Sequence, residues 1–240
     1  MRIIIFVYLF FLCSVIIKAE QLDLIKIATS TDFPPFVTVE DGQLTGFDVD
    51  LLKEVASKLK KTIKFLPVES SYVLSTVTSG LADLGAGGFS ISEERKKFVD
   101  FTTPYFDAGF VIVIRKNQED LDINKLYNKK IGTYVSDFLD HYIKTLKLDK
   151  NMVYGRYHFL FDELIAGAID AILVDYPFAK YMVSNNYKDT LKITGPLYFQ
   201  HQYGFIVTKN HPLKKDIDRA IETILTSSTY QRIYSKWFGD

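Results

Sequence analysis

The strongest constraint on the fold is a regular alternation of short apolar runs with amphipathic segments along most of the chain. Runs rich in β-branched residues, such as Leu24–Thr29 and 110–114, predict strands. Between them, Val49, Leu52 and Val55 fall on one face of a predicted helix. Strands that alternate with helices are typical of an α/β protein with largely parallel sheets.

The same patterns locate the other elements. Further strands are predicted at 62–68, 82–85, near Ile131, and at 171–174 and 204–207. Further helices are predicted at 72–79, 138–146, 160–166, 177–183, 211–225 and 230–238. Asp48 is predicted to be the N-cap of the first helix, since its side chain can accept a bond from that helix's free N–H groups.

The first residues have the pattern of an export signal. Residues 3–17 form an apolar run, interrupted only by Ser14, after Met1-Arg2 and before Ala19. A basic start, a short apolar stretch and a small residue at the cut site predict a signal peptide at 1–19, cleaved after Ala19. The alternative is an uncleaved membrane anchor, although the run is shorter than the roughly 20 residues that span a bilayer.

Charge and cysteine content exclude several classes. The 29 basic and 29 acidic residues are balanced, whereas a dedicated nucleic-acid binder carries a basic excess. The single cysteine can build neither an internal disulfide nor a thiolate metal site. No cofactor and no nucleic-acid partner are therefore expected.

Four motifs, in order, carry a resemblance to a known family. They lie at 28–36, 46–51, 91–101 and 230–238. Together they resemble the polar amino-acid-binding proteins of ABC importers, the periplasmic solute-binding family 3, over about 24–239. The resemblance implies a type II-like fold of two α/β lobes joined by two crossover strands. Lobe 1 would be 20–108 plus 206–240 and lobe 2 would be 112–202, with hinge strands near 108–111 and 203–205.

The resemblance assigns the two charges of a free amino acid to two residues. Arg95 matches the carboxylate-binding arginine, and a guanidinium suits this role because it binds a carboxylate through two parallel hydrogen bonds. The alternative is that the charge run 93–97 is a solvated helix face. Asp175 matches the ammonium-binding aspartate at the carboxyl end of a predicted strand. The alternative is a helix N-cap before Pro177.

Other positions follow from the same resemblance. Gly88 would offer its carbonyl to the ammonium, and Ser90 would offer a hydroxyl and an amide. Phe33 would pack on the ligand side chain, or alternatively in the core. Ser30 is assigned to the same site, and Ser92 is predicted to cap the short helix that carries Arg95.

The sequence departs from the family pattern at two places. Ser70 stands where a second aromatic residue is usual, and Tyr72 is a possible substitute. Ser136 and Asp137 replace a Gly-Thr pair whose backbone amides hold the carboxylate, amides that a helix N-terminus would retain. Asp137 either caps that helix or, like Asp32, favours a cationic ligand side chain. A basic or polar amino acid is therefore the expected ligand.

The expected function is that of a periplasmic carrier. A ligand that contacts both lobes favours the closed form, which a membrane ABC permease would then recognise; a monomer is expected. One alternative is an enzyme that resembles cyclohexadienyl or arogenate dehydratases. Its candidate acid and base groups would be Glu69, Asp137, His141, His158, His201 and His211. The other is a ligand-sensing domain. The sequence contains no recognisable spaced catalytic motif, so we expect that the protein is not an enzyme.

Overall fold

The structure, a computed structural model, describes residues 23–148 and 152–239. The predicted signal peptide at 1–19 lies outside the described residues. One five-stranded sheet forms the centre of the first lobe. Its strands, in spatial order, are β4 (Thr62–Pro67), β1 (Leu24–Thr29), β5 (Leu84–Ala86), β12 (Ile206–Val207) and β6 (Asp100–Phe101).

A second five-stranded sheet forms the centre of the other lobe. Its strands, in spatial order, are β11 (Leu191–Tyr203), β7 (Phe106–Arg115), β10 (Ala171–Asp175), β8 (Ile131–Thr133) and β9 (Met152–Tyr154). A separate hairpin joins β2 (Thr38–Glu40) to β3 (Gln43–Thr45). The chain enters the second sheet through β7 and returns through β11, whose paired ends bring Phe106 opposite Tyr203.

Eight α-helices surround the sheets in the described part of the chain. They are α1 (Phe47–Leu59), α2 (Ser70–Thr78), α3 (Glu93–Lys96), α4 (Asp137–Thr145), α5 (Tyr157–Ala166), α6 (Tyr176–Asn186), α7 (Lys214–Leu225) and α8 (Ser228–Phe238). None of the helices within residues 23–148 and 152–239 is long and apolar enough to cross a membrane.

The strand directions explain how the lobes are connected. β1 runs parallel to β4 and β5, and β8 runs parallel to β9 and β10. β12 is antiparallel to β5 and β6, and β7 is antiparallel to β10 and β11. The two-lobed α/β class is confirmed, but the sheets are mixed rather than largely parallel. Each sheet has one reversed strand, through which the chain arrives from the other lobe: β7 in the second sheet and β12 in the first.

An aromatic cluster fills the space where the connection leaves the first lobe. The Phe36 ring contacts Phe47, Phe106 and Phe238 at centroid distances of 5.9, 5.1 and 5.5 Å. Phe36 and Phe47 have no exposed surface. The cluster therefore packs the start of β7 against α1 and the end of the last helix, and fixes where the crossover begins.

The predicted elements agree with the observed ones where one face of the element is buried. Elements without such a face were missed. β1 has the predicted bounds, and every predicted helix is present with ends shifted by a few residues. The sequence patterns missed β2, β3, β6, β9 and most of β11. β11 is only partly buried, so its apolar residues show no regular period.

Asp48 was wrongly predicted to be a cap: Gly46 is the N-cap of α1, and the Asp48 side chain is buried.

Candidate functional site

Arg95 is held inward by the short helix α3. The Ser92 hydroxyl accepts a hydrogen bond from the Arg95 backbone N–H at 3.2 Å, which confirms the predicted cap. The guanidinium donates to the Ser90 carbonyl at 2.9 Å and lies 5.4 Å from the centroid of the Phe89 ring. Only 9% of Arg95 is exposed. A solvated face is therefore the wrong interpretation for Arg95.

The neighbouring charges of this segment do face solvent. Lys96 pairs with Glu93 at 2.7 Å, and Lys97 pairs with Glu94 at 2.6 Å. All four side chains are exposed, so these pairs contribute little to stability. The segment thus divides its charges by helix geometry, with one arginine directed inward and four charges directed outward.

Asp175 lies at the carboxyl end of β10 and immediately before α6. It occupies the N-cap position, but its side chain makes no capping hydrogen bond. The two carboxylate oxygens instead accept hydrogen bonds from the hydroxyls of Tyr134 and Tyr203. The Nε2 atom of His201 lies 3.5 Å from Asp175 Oδ1. Because the residue is 1% exposed, its charge depends on these partners.

The negative charge of Asp175 affects the pKa of three tyrosines. Burial first, and then the negative charge of Asp175, hold the pKa of Tyr134, Tyr157 and Tyr203 well above the usual range. The positive charge of Arg95 opposes this rise in pKa at Tyr134 and Tyr157. These phenols therefore stay protonated, and those of Tyr134 and Tyr203 donate their hydrogens to Asp175.

Aromatic rings close this space where the lobes meet. The Phe33 ring stacks on Phe178 with a centroid distance of 5.3 Å and packs against Tyr157 at 5.3 Å. Phe33 is 4% exposed, so it packs in the core where the two lobes meet. Gly88 has a φ of 66°, and an added Cβ would lie 2.5 Å from the Phe33 ring. The turn therefore needs glycine at this position.

An open cleft of about 800 Å³ adjoins the aromatic rings. Its lining comes from both lobes and comprises Thr31, Asp32, Pro67, Val68, Glu69, Ser70, Ser71, Tyr134, Val135, Tyr154, Gly155, Arg156, Tyr157 and Phe159. Arg156 and Glu69 face each other across it with an N–O distance of 3.5 Å. Such a space accommodates an elongated side chain, and its lining residue Tyr134 connects it to the buried Asp175 through a hydrogen bond.

The predicted site residues are distributed around these features. Ser30 and Ser90 are buried, Ser30 beside Gly87 and Ser90 with its carbonyl bonded to Arg95, while Asp32 and Ser70 line the cleft. Ser136 is the N-cap of α4, and its hydroxyl accepts from the Leu139 N–H at 3.3 Å. Asp137 is the first residue of α4, and its side chain lies outside the described part of the chain.

One predicted position is directed away from the site. Tyr72 is 60% exposed on α2 and does not belong to the lining of the cleft. Its carbonyl accepts hydrogen bonds from the hydroxyls of Ser75 and Thr76, which hold the start of the helix. Tyr72 therefore does not replace the aromatic residue that is absent at Ser70, because the α2 register turns it to solvent.

Several residues of the site were not assigned to it from the sequence. Tyr157, Phe178 and Tyr203 were absent from the predicted set, and His201 was named only as possible catalytic material. Their one local signal is that Tyr157 and Phe178 lie in the first turns of helices after strands. No pattern in the sequence brings Tyr203 to Asp175.

Among the described residues, no group of three or more His, Cys, Asp or Glu side chains is arranged to hold a metal ion.

Comparison with known proteins gives a consistent result. A model of the bacterial extracellular solute-binding proteins, family 3, matches residues 25–240. The chain is 29% identical over 227 residues to the L-cystine-binding protein TcyJ of Escherichia coli (strain K12), covering 92% of this chain and 85% of that protein. It is 30% identical over 230 residues to the arginine-binding periplasmic protein of Mannheimia haemolytica, covering 93% and 94%.

A solved structure extends the similarity to the fold. An ancestral arginine-binding protein bound to arginine superposes with a TM-score of 0.83 at 34% identity, covering 90% of this chain and 99% of that one. The similarity therefore includes both lobes and the crossover strands between them.

Proposed function

The chain belongs to family 3 of the bacterial extracellular solute-binding proteins, and from this premise we propose that it clamps a free amino acid between its lobes and delivers it to an ABC permease. The lobes of this proposal are 20–108 plus 206–240 and 112–202, and the ligand lies at the junction between them.

The observation that carries the proposal is a pair of buried, opposite charges on different lobes. Arg95 is held by α3 of the first lobe, and Asp175 ends β10 of the second. The Arg95 guanidinium bonds the Ser90 carbonyl, Ser90 pairs with Tyr203 in an antiparallel bridge, and the Tyr203 hydroxyl bonds Asp175, so both charges lie at the same junction. The guanidinium suits an α-carboxylate and the aspartate suits an α-ammonium.

A basic side chain is the proposed preference. The carboxyls of Asp32 and Glu69 line the cleft outside the charge pair, and Tyr154, Tyr157 and Phe159 supply aromatic surface. A cation is stabilised both by carboxylates and by aromatic faces. The arginine-binding relatives point the same way. We propose L-arginine as the first ligand to test, with L-cystine second.

The proposed location is the periplasm, where the related arginine-binding protein is found. Cleavage after Ala19 and a monomeric mature protein complete the proposal. Two measurements test it: N-terminal sequencing of protein from a periplasmic extract, and its mass by light scattering. A mature N-terminus other than Glu20 would rule out the proposed cleavage site.

The direct test is ligand-dependent thermal unfolding with the twenty amino acids and prephenate. A ligand at 100 times its Kd stabilises the folded state by about 2.7 kcal/mol. We expect this stabilisation with L-arginine and its loss in Arg95→Ala, because the carboxylate would lose its fork of donors. Arg219→Ala is the control, since Arg219 is an exposed arginine that pairs only weakly with Asp216 at 3.5 Å.

Two outcomes would contradict the proposal. Absence of a shift with every amino acid would reject amino-acid binding, and a full shift in Arg95→Ala would reject the role of Arg95. The dehydratase alternative receives less support from the relatives, which are named for binding. Turnover of prephenate would favour it instead.

A further inference from the structure

His201 lies directly behind the proposed ammonium site. It belongs to β11, and only 4% of its side chain is exposed. Its ring packs between Phe110 of β7 and Phe138 of α4, at centroid distances of 5.0 and 4.7 Å. Two apolar rings thus keep solvent from the imidazole, and its polar atoms depend on the protein for partners.

The two ring nitrogens have different partners. Nδ1 lies 2.7 Å from the Phe199 carbonyl oxygen, which can only accept, so Nδ1 carries a hydrogen. Nε2 is buried without a hydrogen-bond partner and lies 3.5 Å from Asp175 Oδ1. A neutral ring would direct its Nε2 lone pair toward a carboxylate. A ring protonated on both nitrogens would instead form an ion pair.

We propose that His201 is an imidazolium paired with Asp175 in the ligand-free protein, and that an incoming ammonium displaces its Nε2 proton to solvent. Binding of an amino acid then releases one proton. This inference rests on the proposed function, since it requires an ammonium at Asp175. It identifies His201 as a positioning residue that sets how strongly Asp175 attracts a cation at a given pH.

The charges around the imidazole identify the group that gives up the proton. From the second lobe, Asp175 and Tyr134 face the site, and Tyr203 follows on the same strand as His201. Burial and the charge of Asp175 raise the pKa of both tyrosines, so neither releases a proton near neutral pH. β7 and α4 present the apolar rings of Phe110 and Phe138 to the imidazole.

Charge balance then decides the outcome. Before binding, the anion of Asp175 is compensated by the imidazolium. After binding, the ligand's ammonium compensates Asp175, and its carboxylate is compensated by Arg95. A remaining imidazolium would then share Asp175 with a second buried cation, the ligand's ammonium, and a like charge at this distance favours loss of the Nε2 proton. Asp175 and His201 both belong to strands of the second sheet, so their pairing does not depend on closure of the lobes.

Calorimetric titration with L-arginine at pH 6, in two buffers with different ionisation enthalpies, tests the displacement. We expect release of up to one proton in the wild-type protein and none in His201→Gln. We also expect the Kd to rise by up to ~tenfold for each unit that the pH is lowered below neutrality, in the limit of one proton released, because protons then oppose binding. His211→Gln is the control, because His211 faces Asp83 at 3.6 Å in the first lobe and should leave the release unchanged.

Nitrogen chemical shifts of the imidazole provide a test that needs no ligand. The His201 signal, assigned by its loss in His201→Gln, should report a doubly protonated ring at pH 6 and a neutral ring after L-arginine is added. A neutral ring in the ligand-free protein would overturn the inference, as would binding without proton release. An imidazolium in a protein that binds no amino acid would instead overturn the proposed function.

Discussion

Asp48 shows how one buried carboxyl can hold a binding turn. Its Oδ2 atom accepts hydrogen bonds from the backbone N–H groups of Gly87 and Gly88 at 2.8 and 3.1 Å. The residue has no exposed surface, and burial raises its pKa to about 7 against the lowering effect of these bonds. A local rule predicts a cap at this position, but the folded protein uses the side chain to fix the turn that precedes Arg95.

The titration of Asp48 should be visible in the pH dependence of the free energy of unfolding. Since its pKa is 3.8 in the unfolded chain and about 7 in the folded one, the folded state retains the proton in that interval. Stability therefore falls as the pH rises from about 4 to about 7 and then levels off, by up to about 1.4 kcal/mol per unit. Asp48→Asn removes this titration and should flatten the profile, measured by urea unfolding from pH 5 to 8.

Comparison of the wild-type protein with Asp48→Asn separates the titration of Asp48 from that of the other carboxyl groups. Asp83 and Asp100 have lowered pKa values, chiefly through their bonds to His211 and Lys209 against the opposing effect of burial. Both remain in the variant, so their contribution to the profile cancels. Parallel profiles for wild type and Asp48→Asn between pH 5 and 7 would refute the assignment.

At the scale of the element, α3 is a single turn that positions one side chain. It spans only Glu93–Lys96, too short to be stable alone. The Ser92 cap and the Arg95 bond to the Ser90 carbonyl tie its two ends to the turn before it. The position of the guanidinium therefore depends on the cap.

Replacement of the cap should weaken binding as well as stability. Ser92→Ala removes an N-cap hydrogen bond, which costs about 0.5–2 kcal/mol, and frees the turn that carries Arg95. We expect a lower free energy of unfolding and a weaker affinity for L-arginine, measured by urea unfolding and calorimetry. The unfolding experiment reports the cap, and the calorimetry reports its effect on Arg95.

Asp122→Ala is the matched control for this variant. Asp122 caps the 3-10 turn Ile123–Lys125 by accepting from the Asn124 N–H at 2.8 Å, away from the cleft. It should lose comparable stability and retain full affinity. Equal affinities for Ser92→Ala and Asp122→Ala would show that α3 does not need its cap to place the guanidinium.

At the scale of the whole molecule, two kinds of contact connect the lobes around the cleft. The buried kind is the stack of Phe33 on Phe178. The exposed kind is the ion pair of Glu69 and Arg156, whose side chains are 67% and 73% exposed. An exposed pair contributes at most about 1 kcal/mol, so the aromatic stack supplies the contact and the ion pair modulates closure.

Reversal of one charge should open the lobes slightly. Glu69→Arg sets two cations against each other at the open end of the cleft and removes a carboxylate from its lining, so we expect an affinity for L-arginine up to about fivefold weaker. The double variant Glu69→Arg, Arg156→Glu should restore it, and high salt should reduce the effect. Calorimetry at two salt concentrations measures the affinity, and small-angle scattering measures the separation of the lobes.

Glu54→Arg provides the control for charge reversal as such. Glu54 pairs with Arg232 at 2.9 Å on two helices that pack around the first sheet. Its reversal should leave both the affinity and the scattering curve unchanged. A loss of affinity as large as in Glu69→Arg would show that net charge, rather than contact between lobes, controls binding.

The sequence alone determined the local features of this protein. Strand and helix positions follow from periodicity, as at β1 and α1, because the period of burial is written in neighbouring residues. The cap of α3 was also predictable, since Ser92 and Arg95 are three residues apart. The class of two α/β lobes followed from this order of elements and from the family resemblance.

Only the tertiary structure decided where the polar side chains point. Asp48 and Asp175 both fit a helix cap in sequence, yet each turns to partners 28 to 41 residues away along the chain. The packing of separate strands and helices sets these contacts, and a buried carboxylate takes whichever donors that packing brings to it. The sequence therefore specified the elements and the two charges, while the fold determined which phenols and which imidazole surround Asp175.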